Sequence, residues 1–380
     1  MKFDSLKVTN FRNYDKVSLK FSPYINIIYG KNGSGKTNIV EALYVLALTR
    51  SFRTKDDINL IKKDELSTKI EGKVKINKSD NYQVIINKEG KKVKINNIQE
   101  YKISNYISNI NVILYQPDDQ MLLKLAPSVR RKMINIEISQ LNKNYIYYLN
   151  NYNKILKQRN FYLREMMINS NASVDYLNIL TDKLIQYGMN IYEERKKFFA
   201  MINENISNIY NQITQNGNIL VKYESDYDNK TYDDLINMYK AKQKYDINMG
   251  KTNIGIQHDD FDFILDGNSI KEWGSVGEQK NAIFAFKLSE IEIFKKIKGS
   301  NPILILDDIF SELDKTKVKN IVKILNNNIQ TFITTTEIER ISKNLVKNAK
   351  KFKVINGEIK EIVKWMKIII VKAIFKYLKG

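Results

Sequence analysis

The feature that most constrains this chain is an eight-residue loop near its N-terminus, which matches the phosphate-binding pattern G-x-x-x-x-G-K-[ST] in full. An apolar run at residues 25–29 precedes the loop, and apolar residues at helical spacing follow it as far as residue 48. A strand, a glycine-rich turn and a helix in this order are typical of a nucleotide-binding α/β domain. The loop consists of Gly30, Lys31, Asn32, Gly33, Ser34, Gly35, Lys36 and Thr37.

The residue types of this loop suit the binding of a phosphate chain. Glycines allow backbone N–H groups to approach phosphate oxygens, and the N-terminus of the following helix adds a favourable dipole. Lys36 is expected to reach the β- and γ-phosphates, and the Thr37 hydroxyl is expected to bind Mg²⁺. The sequence therefore predicts a nucleotide triphosphate with Mg²⁺ as the ligand of this part of the chain.

A second motif is an apolar run at residues 303–306 that ends in Asp307 and Asp308. A parallel strand that is buried on both faces has such a continuous apolar sequence. Ligands of open α/β sheets bind at the carboxyl ends of the strands, where these two acids would lie. One acid can hold Mg²⁺ while the other polarises the attacking water.

A third motif, at residues 274–280, places Ser275 and Gly277 immediately before an apolar segment of helical spacing. Small residues that lead into a helix N-terminus can bind an anion. An ordinary capped helix has the same sequence pattern. The order of this motif and the acidic strand favours the anion-binding interpretation.

The hydrophobic pattern divides the chain into an outer and an inserted part. Two-residue alternation at residues 69–96 predicts antiparallel hairpins, and residues 128–210 predict long helices with a break near 169–173. Strand and helix signals return after residue 261. We predict one α/β lobe formed by residues 1–110 and 260–363, with a mainly helical second lobe, residues 111–259, inserted into it.

Composition limits the classes of function. Lys and Arg total 62 against 42 Asp and Glu, a formal charge of +20, which favours a polyanionic partner or reflects a general solubility charge. The chain has no cysteine, so disulfides and thiol metal sites are excluded, and one histidine excludes a multi-histidine metal site. No run reaches the roughly 20 apolar residues of a membrane helix. We expect a cytoplasmic protein with no stable membrane span.

Together these motifs resemble an ABC ATPase head, a mixed α/β sheet with flanking helices. More narrowly, the chain resembles the RecF family, which is related to the heads of SMC proteins. The resemblance extends from residue 3 to about residue 360. Besides the phosphate loop it is carried by residues 10–14, 41–43, 51–53, 127–131, 257–260, 306–314 and 331–336.

The resemblance implies a role for several positions. Asp307 would bind Mg²⁺, and Asp308, assisted by Lys36, would serve catalysis as the general base. Ser275 and Gly277 would contact the γ-phosphate of ATP bound to a partner subunit. Residues 311–314 would form the D-loop at the dimer seam.

Two further positions follow from the resemblance, and the chain departs from it at three points, two substitutions and one missing arginine. Gln116 would occupy the Q-loop position and Arg12 would contact the nucleotide; the alternatives are an exposed loop glutamine and a surface arginine. Val276 and Glu278 replace two glutamines of the family signature, and Glu278 adds negative charge close to phosphates. His258 lies in a motif that lacks its arginine and is either a dimer or lobe contact or, as we favour, a buried and hydrogen-bonded histidine.

The resemblance also implies a function. ATP would induce a homodimer that binds double-stranded DNA at single-stranded gaps, and with RecO and RecR it would promote RecA loading, with links to replication and the SOS response. Slow, DNA-stimulated hydrolysis of ATP to ADP and phosphate would release the DNA. The basic, apolar tail at 364–380 extends beyond the resemblance and is a packing helix, a membrane-surface helix or an altered gene end.

Two other classes share parts of this pattern. A defence ATPase of the overcoming-lysogenization-defect kind has the same head, but an acidic nuclease domain should follow it, and none follows Asp314. A transporter ATPase subunit should have a histidine after the strand at 331–335, where this chain has Thr334, Thr335 and Thr336. An SMC-like ATPase of another DNA-maintenance system remains the nearest alternative.

Overall fold

A computed structural model describes residues 1–169, 171–214, 217–309, 320, 328–341 and 343–362. These residues form two compact units. The phosphate-loop unit comprises residues 2–46, 50–91 and those from 304 onward. The helical unit comprises Met1 and residues 47–49 and 92–303. The predicted D-loop at 311–314, a helix predicted at 316–325 and the tail at 364–380 lie outside the described residues, apart from position 320.

The strands are β1 (Lys2–Phe11), β2 (Tyr14–Lys20), β3 (Ile25–Tyr29), β4 (Ser67–Lys75), β5 (Ser79–Asn87), β6 (Gly90–Ile95), β7 (Ile98–Glu100), β8 (Val112–Tyr115), β9 (Ile219–Glu224), β10 (Asp260–Leu265), β11 (Asn268–Ser269), β12 (Ile303–Leu306), β13 (Thr331–Thr335), β14 (Lys350–Ile355) and β15 (Glu358–Ile362). The helices are α1 (Lys36–Leu48), α2 (Ile103–Ile107), α3 (Pro127–Leu141), α4 (Lys143–Ile168), α5 (Val174–Asn203), α6 (Ile206–Thr214), α7 (Tyr232–Met249), α8 (Ile270–Trp273), α9 (Val276–Lys298) and α10 (Lys343–Asn348). Short 3-10 helices cover residues 57–60, 117–121 and 338–340.

The phosphate-loop unit contains a mainly parallel sheet in the order β15, β14, β3, β13, β12. Strands β14, β3, β13 and β12 are parallel, and β15 returns antiparallel to β14. Ile27, Ile305 and Phe332 are fully buried, as expected for strands that are covered on both faces. Because β3 and β12 run in the same direction, the phosphate loop after β3 and the acids after β12 emerge at the same edge of the sheet.

A second sheet of this unit is antiparallel, with strands in the order β2, β1, β4, β5. Its inner face carries apolar residues such as Leu6, Ile70 and Val84, each with no exposed surface. A side chain at Gly72 would place its Cβ 2.4 Å from Leu46 Cδ2, so this glycine lets helix α1 pack closely on the sheet. The two-residue alternation of the sequence therefore predicts these hairpins correctly.

The helical unit is built around the antiparallel helices α4 and α5. The helical pattern is interrupted between them at the predicted position. The Ser173 hydroxyl caps α5 by accepting a hydrogen bond from the N–H of Tyr176 at 3.3 Å. Strands β9, β10 and β11 form a small antiparallel sheet beside the helices. No described helix has the length and apolar character that crossing a membrane requires.

Three buried arginines contribute to the specificity of packing in the helical unit. Each forms an ion pair: Arg159 with Asp246 at 2.8 Å, Arg195 with Asp259 at 2.5 Å, and Arg130 with Asp260 at 2.6 Å. A buried arginine requires such a partner, because an unpaired charge in the interior costs several kcal/mol.

The two compact units divide the chain differently from the predicted lobes. Residues 92–110 and 260–303 group with the helices. The reason is that β10 pairs with β9 and that α9 packs against α5 and α6. The prediction placed these segments in the phosphate-loop lobe because of the order of their strands and helices alone. The lobe boundaries stay a prediction.

Candidate nucleotide-binding site

Close contacts surround the phosphate loop at two of its glycines. A Cβ atom at Gly30 would lie 2.3 Å from the carbonyl oxygen of Val354 on β14. A Cβ at Gly35 would lie 2.6 Å from the Tyr14 hydroxyl, and Gly35 also has a φ of +111°, which other residues rarely adopt. The Tyr14 hydroxyl donates a hydrogen bond to the Gly35 carbonyl at 3.0 Å. The loop conformation is therefore determined by both its own glycines and its neighbours.

Lys36 is buried within the loop, with 7% of its surface exposed. Its ammonium donates hydrogen bonds to the carbonyl oxygens of Gly30 at 2.9 Å and Lys31 at 3.0 Å. Burial lowers the pKa of Lys36, and the carboxyl groups of Asp308 and Asp307 oppose that shift. The positive charge is thus held inside the loop, beside both acids.

The Mg²⁺-binding residues that the sequence predicted are in direct contact. The Thr37 hydroxyl donates to Oδ1 of Asp307 at 3.1 Å. Thr334 on β13 donates to the same oxygen at 2.5 Å. Burial raises the pKa of Asp307, and the hydroxyls of Thr334 and Thr37 counteract the shift. A hydroxyl and a carboxylate, both hard oxygen ligands, are what Mg²⁺ requires beside phosphate oxygens.

Asp308 adopts a left-handed backbone conformation, with a φ of +48°. Its N–H donates to the Thr334 hydroxyl at 2.9 Å, so Thr334 orients both acids. Aspartate tolerates this conformation better than most residues, and here the Thr334 hydroxyl holds it in place. Sequence reasoning missed Thr334, although a polar residue inside a buried strand could have identified it.

The tip of the loop and its one buried hydroxyl also suit a phosphate chain. Lys31, Asn32 and Gly33 are exposed. The Ser34 hydroxyl is buried and has no hydrogen-bond partner in the part of the chain that the structure describes. A cavity of about 450 Å³ adjoins the loop and is lined by Gly30, Lys31 and Ser34 together with residues of β14 and of segment 336–339. An unpaired buried hydroxyl beside a cavity indicates a ligand that hydrogen-bonds to it.

Arg12 lies against Glu41 rather than against the loop. Its guanidinium donates two hydrogen bonds to the Glu41 carboxylate, at 2.9 and 2.6 Å, and a third to the Asn59 carbonyl at 2.8 Å. Glu41 is fully buried and also accepts from Ser51. A direct contact of Arg12 with the nucleotide stays a prediction.

Arg53 is a site residue to which the sequence assigned no role. Its guanidinium donates to Asn38 Oδ1 at 2.7 Å. Burial raises the pKa of Asp307, and the positive charge of Arg53 opposes part of that shift. Arg53 therefore influences the charge of the predicted Mg²⁺-binding acid from the segment after α1. In the sequence, Arg53 contributes to the family resemblance only as part of the segment 51–53.

In the helical unit, Ser275 is the N-cap of α9. Its hydroxyl accepts from the N–H of Glu278 at 3.3 Å, and its own N–H donates to the Glu278 carboxylate at 2.8 Å. Hydrogen bonding of its carboxylate to Ser275 lowers the pKa of Glu278. This reciprocal arrangement is a capping box, so the departure at Glu278 has a structural role. Val276, the other departure, is exposed.

Gly277 has no role in the packing of the helical unit. A Cβ atom there would meet only the Ser275 hydroxyl, at 3.9 Å. Glycine in a helix costs about 1 kcal/mol relative to alanine. An exposed glycine that packing does not require is expected where another group approaches the backbone.

We therefore expect Gly277→Ala to keep or raise stability by up to about 1 kcal/mol. The same change should weaken the ATP-induced self-association that the family resemblance predicts. Thermal denaturation and sedimentation with ATP measure the two effects. Gly299→Ala is the matched control, because the positive φ of Gly299, +67°, should make that variant less stable without changing association. Unchanged association of Gly277→Ala would remove this role from Gly277.

Gln116 follows strand β8 and begins the 3-10 helix at 117–121. Its N–H donates to the Asp119 carboxylate at 2.9 Å. The residue is half-buried. Gln116 belongs to the helical unit, as Ser275 and Gly277 do, whereas the phosphate loop belongs to the other unit. Its assignment as the Q-loop glutamine therefore stays a prediction.

The prediction of a buried His258 is wrong. His258 is exposed, and its Nε2 lies 3.4 Å from the Thr252 carbonyl. The neighbouring Asp259 takes the buried position instead, because Arg195 forms an ion pair with it. Asp259 rather than His258 therefore points into the interior, because only Asp259 has a buried partner of opposite charge.

The comparisons with known proteins extend over nearly the whole chain. The model of the RecF/RecN/SMC N-terminal domain matches residues 2–360. A DNA replication and repair protein RecF of Latilactobacillus sakei is 34% identical, with 95% of this chain and 99% of that protein covered. The RecF protein of Ligilactobacillus salivarius is 36% identical, with 95% and 98% covered.

Solved structures give the same result for the fold. The recombination mediator protein RecF bound to ATP superposes with a TM-score of 0.87 at 28% identity, and 95% of this chain and 98% of that chain are covered. An SMC head from Pyrococcus furiosus, at 17% identity and a TM-score of 0.54, supports the fold alone. The predicted ABC-ATPase head is confirmed.

Proposed function

Because this chain belongs to the RecF family, we propose that it is an ATP-dependent DNA-binding protein of replication and recombinational repair. The observation that carries the proposal is the contact of Thr37 with Asp307, which joins the phosphate loop to the acidic strand. Thr334 holds both Asp307 and Asp308 in place from the neighbouring strand. Such an arrangement suits a nucleotide with a metal ion at the edge of the sheet.

The loop and the two acids divide the work of nucleotide binding and hydrolysis in this proposal. Gly30, Gly33 and Gly35 let the backbone approach the phosphates, and Lys36 neutralises their charge. Thr37 and Asp307 would hold Mg²⁺, which supplies charge neutralisation at the phosphate oxygens when bound. Asp308 would accept a proton from the attacking water as the general base.

The helical unit would supply the second half of a composite site. In this proposal Ser275 and Gly277 contact the γ-phosphate of ATP on a second copy of the chain, so ATP induces a homodimer. The dimer binds duplex DNA at single-stranded gaps in the cytoplasm and acts with RecO and RecR to promote RecA loading. The +20 charge supports a phosphate-binding role.

Asp308→Asn tests this function directly. We expect ATP binding to persist and hydrolysis to fall about 100-fold or more, because a general base contributes about 10²–10⁴ in rate. With ATP, the variant should sediment as a dimer and bind duplex DNA. Phosphate release, sedimentation and fluorescence anisotropy give the three readouts.

Asp64→Asn is the matched control for this test. Asp64 is exposed and also has a left-handed backbone, with a φ of +68°, so asparagine is tolerated equally well at both positions. Hydrolysis by the control should equal that of the unmodified protein. If Asp308→Asn stays a monomer with ATP, the proposed ATP-induced dimer is wrong.

A further inference from the structure

The outer face of the antiparallel sheet carries five lysines in a regular arrangement. Strand register places Lys16 and Lys69 on either side of Thr9, and Lys20 and Lys73 on either side of Ser5. Lys7 stands in the middle of the four, between Ser18 and Glu71. We call these residues the lysine face: Lys7, Lys16, Lys20, Lys69 and Lys73.

The dimensions of the lysine face follow from sheet geometry. Four residues along a strand span about 13 Å, and two strand spacings span about 10 Å. Four lysines thus occupy the corners of this rectangle and Lys7 its centre. Duplex DNA carries one negative charge per roughly 1.7 Å of its axis, so a stretch of about 13 Å has about eight phosphates on its two strands, part of which face the protein.

Most of this charge is not neutralised by the protein. Lys7, Lys16, Lys20 and Lys73 are exposed, and no carboxylate of the described residues forms an ion pair with any of them. Lys69 is the exception, because it pairs with Glu71 at 3.0 Å. Leaving several like charges together on one rigid sheet costs electrostatic free energy, which a polyanion would recover.

The other residues of the face favour a nucleic acid over a membrane surface. They are mostly hydroxyl and amide side chains, which can donate hydrogen bonds to phosphate oxygens. A face that inserts into a membrane would instead carry exposed apolar side chains. The half-buried Ile85, opposite Lys69, is the one aliphatic residue among the register partners of the face. The partners are Ser5, Thr9, Ser18, Glu71, Asn81, Gln83 and Ile85.

We propose that the lysine face binds the phosphate backbone of duplex DNA without sequence preference. The inference rests on the proposed DNA-binding function and assigns that function to one surface of the phosphate-loop unit. Because the strands are hydrogen-bonded in register, the lysine stems start from a rigid framework. Backbone contacts of this kind position a protein on DNA but do not read its sequence.

The test compares two triple variants that each remove three positive charges. Lys7→Gln/Lys20→Gln/Lys73→Gln changes the lysine face, and Lys240→Gln/Lys242→Gln/Lys244→Gln changes three exposed lysines of α7. Binding of a short labelled duplex is measured with ATP over a series of salt concentrations. The slope of log affinity against log salt is negative, and it should become less steep by about 2 to 3 for the face variant, since each phosphate contact contributes about −0.9.

Further arms separate the possible outcomes. The α7 variant should keep the slope of the unmodified protein, and the Lys→Arg version of the face variant should restore binding. Equal loss in both triple variants, or no loss in the face variant, would overturn the proposal. A third arm measures binding to phosphatidylserine vesicles. If the face variant loses vesicle binding but keeps DNA binding, the proposal is also overturned. If the unmodified protein with ATP binds no duplex, the proposed function itself fails.

Discussion

Replacing Lys36 by alanine is expected to abolish ATP binding at working concentrations. The ammonium makes two hydrogen bonds inside the loop and lies beside the predicted phosphate position, so its loss removes charge-assisted contacts to the nucleotide. Each such contact is worth about 1.5–3 kcal/mol, so we expect ATP affinity to fall at least about 100-fold. Titration calorimetry with ATP and Mg²⁺ measures the change.

The expected consequences of Lys36→Ala extend to assembly. Without bound ATP, the protein should stay monomeric and lose ATP-dependent DNA binding. Lys31→Ala is the control, because Lys31 lies in the same loop but its side chain is exposed. Lys36 contacts only the backbone carbonyl of Lys31, which alanine retains. We expect that variant to change ATP affinity less than about 5-fold. Equal affinities of Lys36→Ala and the unmodified protein would refute the assigned role.

The second large effect is expected at a buried charge cluster of the helical unit. Lys287 on α9 donates to Glu137 at 2.7 Å and lies 3.6 Å from Glu290, and all three are buried. Burial alone would lower the pKa of Lys287, but Glu137, Glu290 and Asp119 raise it. Burial, reinforced by Glu137, raises the pKa of Glu290 well above its usual value. One lysine thus lies beside several carboxyl groups, and burial favours the protonated form of Glu290.

Lys287→Met should destabilise the protein by about 3–5 kcal/mol, because it leaves Glu137 buried without its partner. Glu290→Gln should stabilise the protein at neutral pH, because glutamine resembles the protonated acid but takes up no proton on folding. Urea unfolding, followed by circular dichroism, compares the two variants. A Lys287→Met protein of unchanged stability would show that the cluster contributes little.

The pH dependence of unfolding gives a second test of the cluster. A carboxyl whose folded pKa is raised stabilises the fold below its unfolded pKa, and this stability is lost as pH rises through the folded pKa. Although Asp119 keeps some exposure, burial raises its pKa to about 6, so its contribution is lost by about that pH. Above about pH 6 the raised pKa of Glu290 should make stability fall by up to about 1.4 kcal/mol per pH unit. Glu290→Gln should remove this slope, and an unchanged slope would contradict a protonated Glu290.

Much of the local structure could be predicted because its causes are local in the sequence. The strand at 25–29, the phosphate loop and the helix that follows occupy consecutive positions, and the helix begins at Lys36 as the motif requires. The hairpins of the second sheet and the break before α5 also follow from short-range patterns. His258 shows the limit, because periodicity does not reveal which of two adjacent polar residues has a buried partner.

The sequence by itself determined the chemistry of the phosphate loop, since glycines, lysine and threonine at fixed spacing act within one turn of the chain. Only the tertiary structure decided which distant groups complete it. Thr37 contacts Asp307 across 270 positions, and Thr334 joins them because parallel strands place their carboxyl ends at one edge. The lysine face likewise arises from strand register, which is set by hydrogen bonding between strands. The number of lysines in the sequence does not show which of them lie side by side.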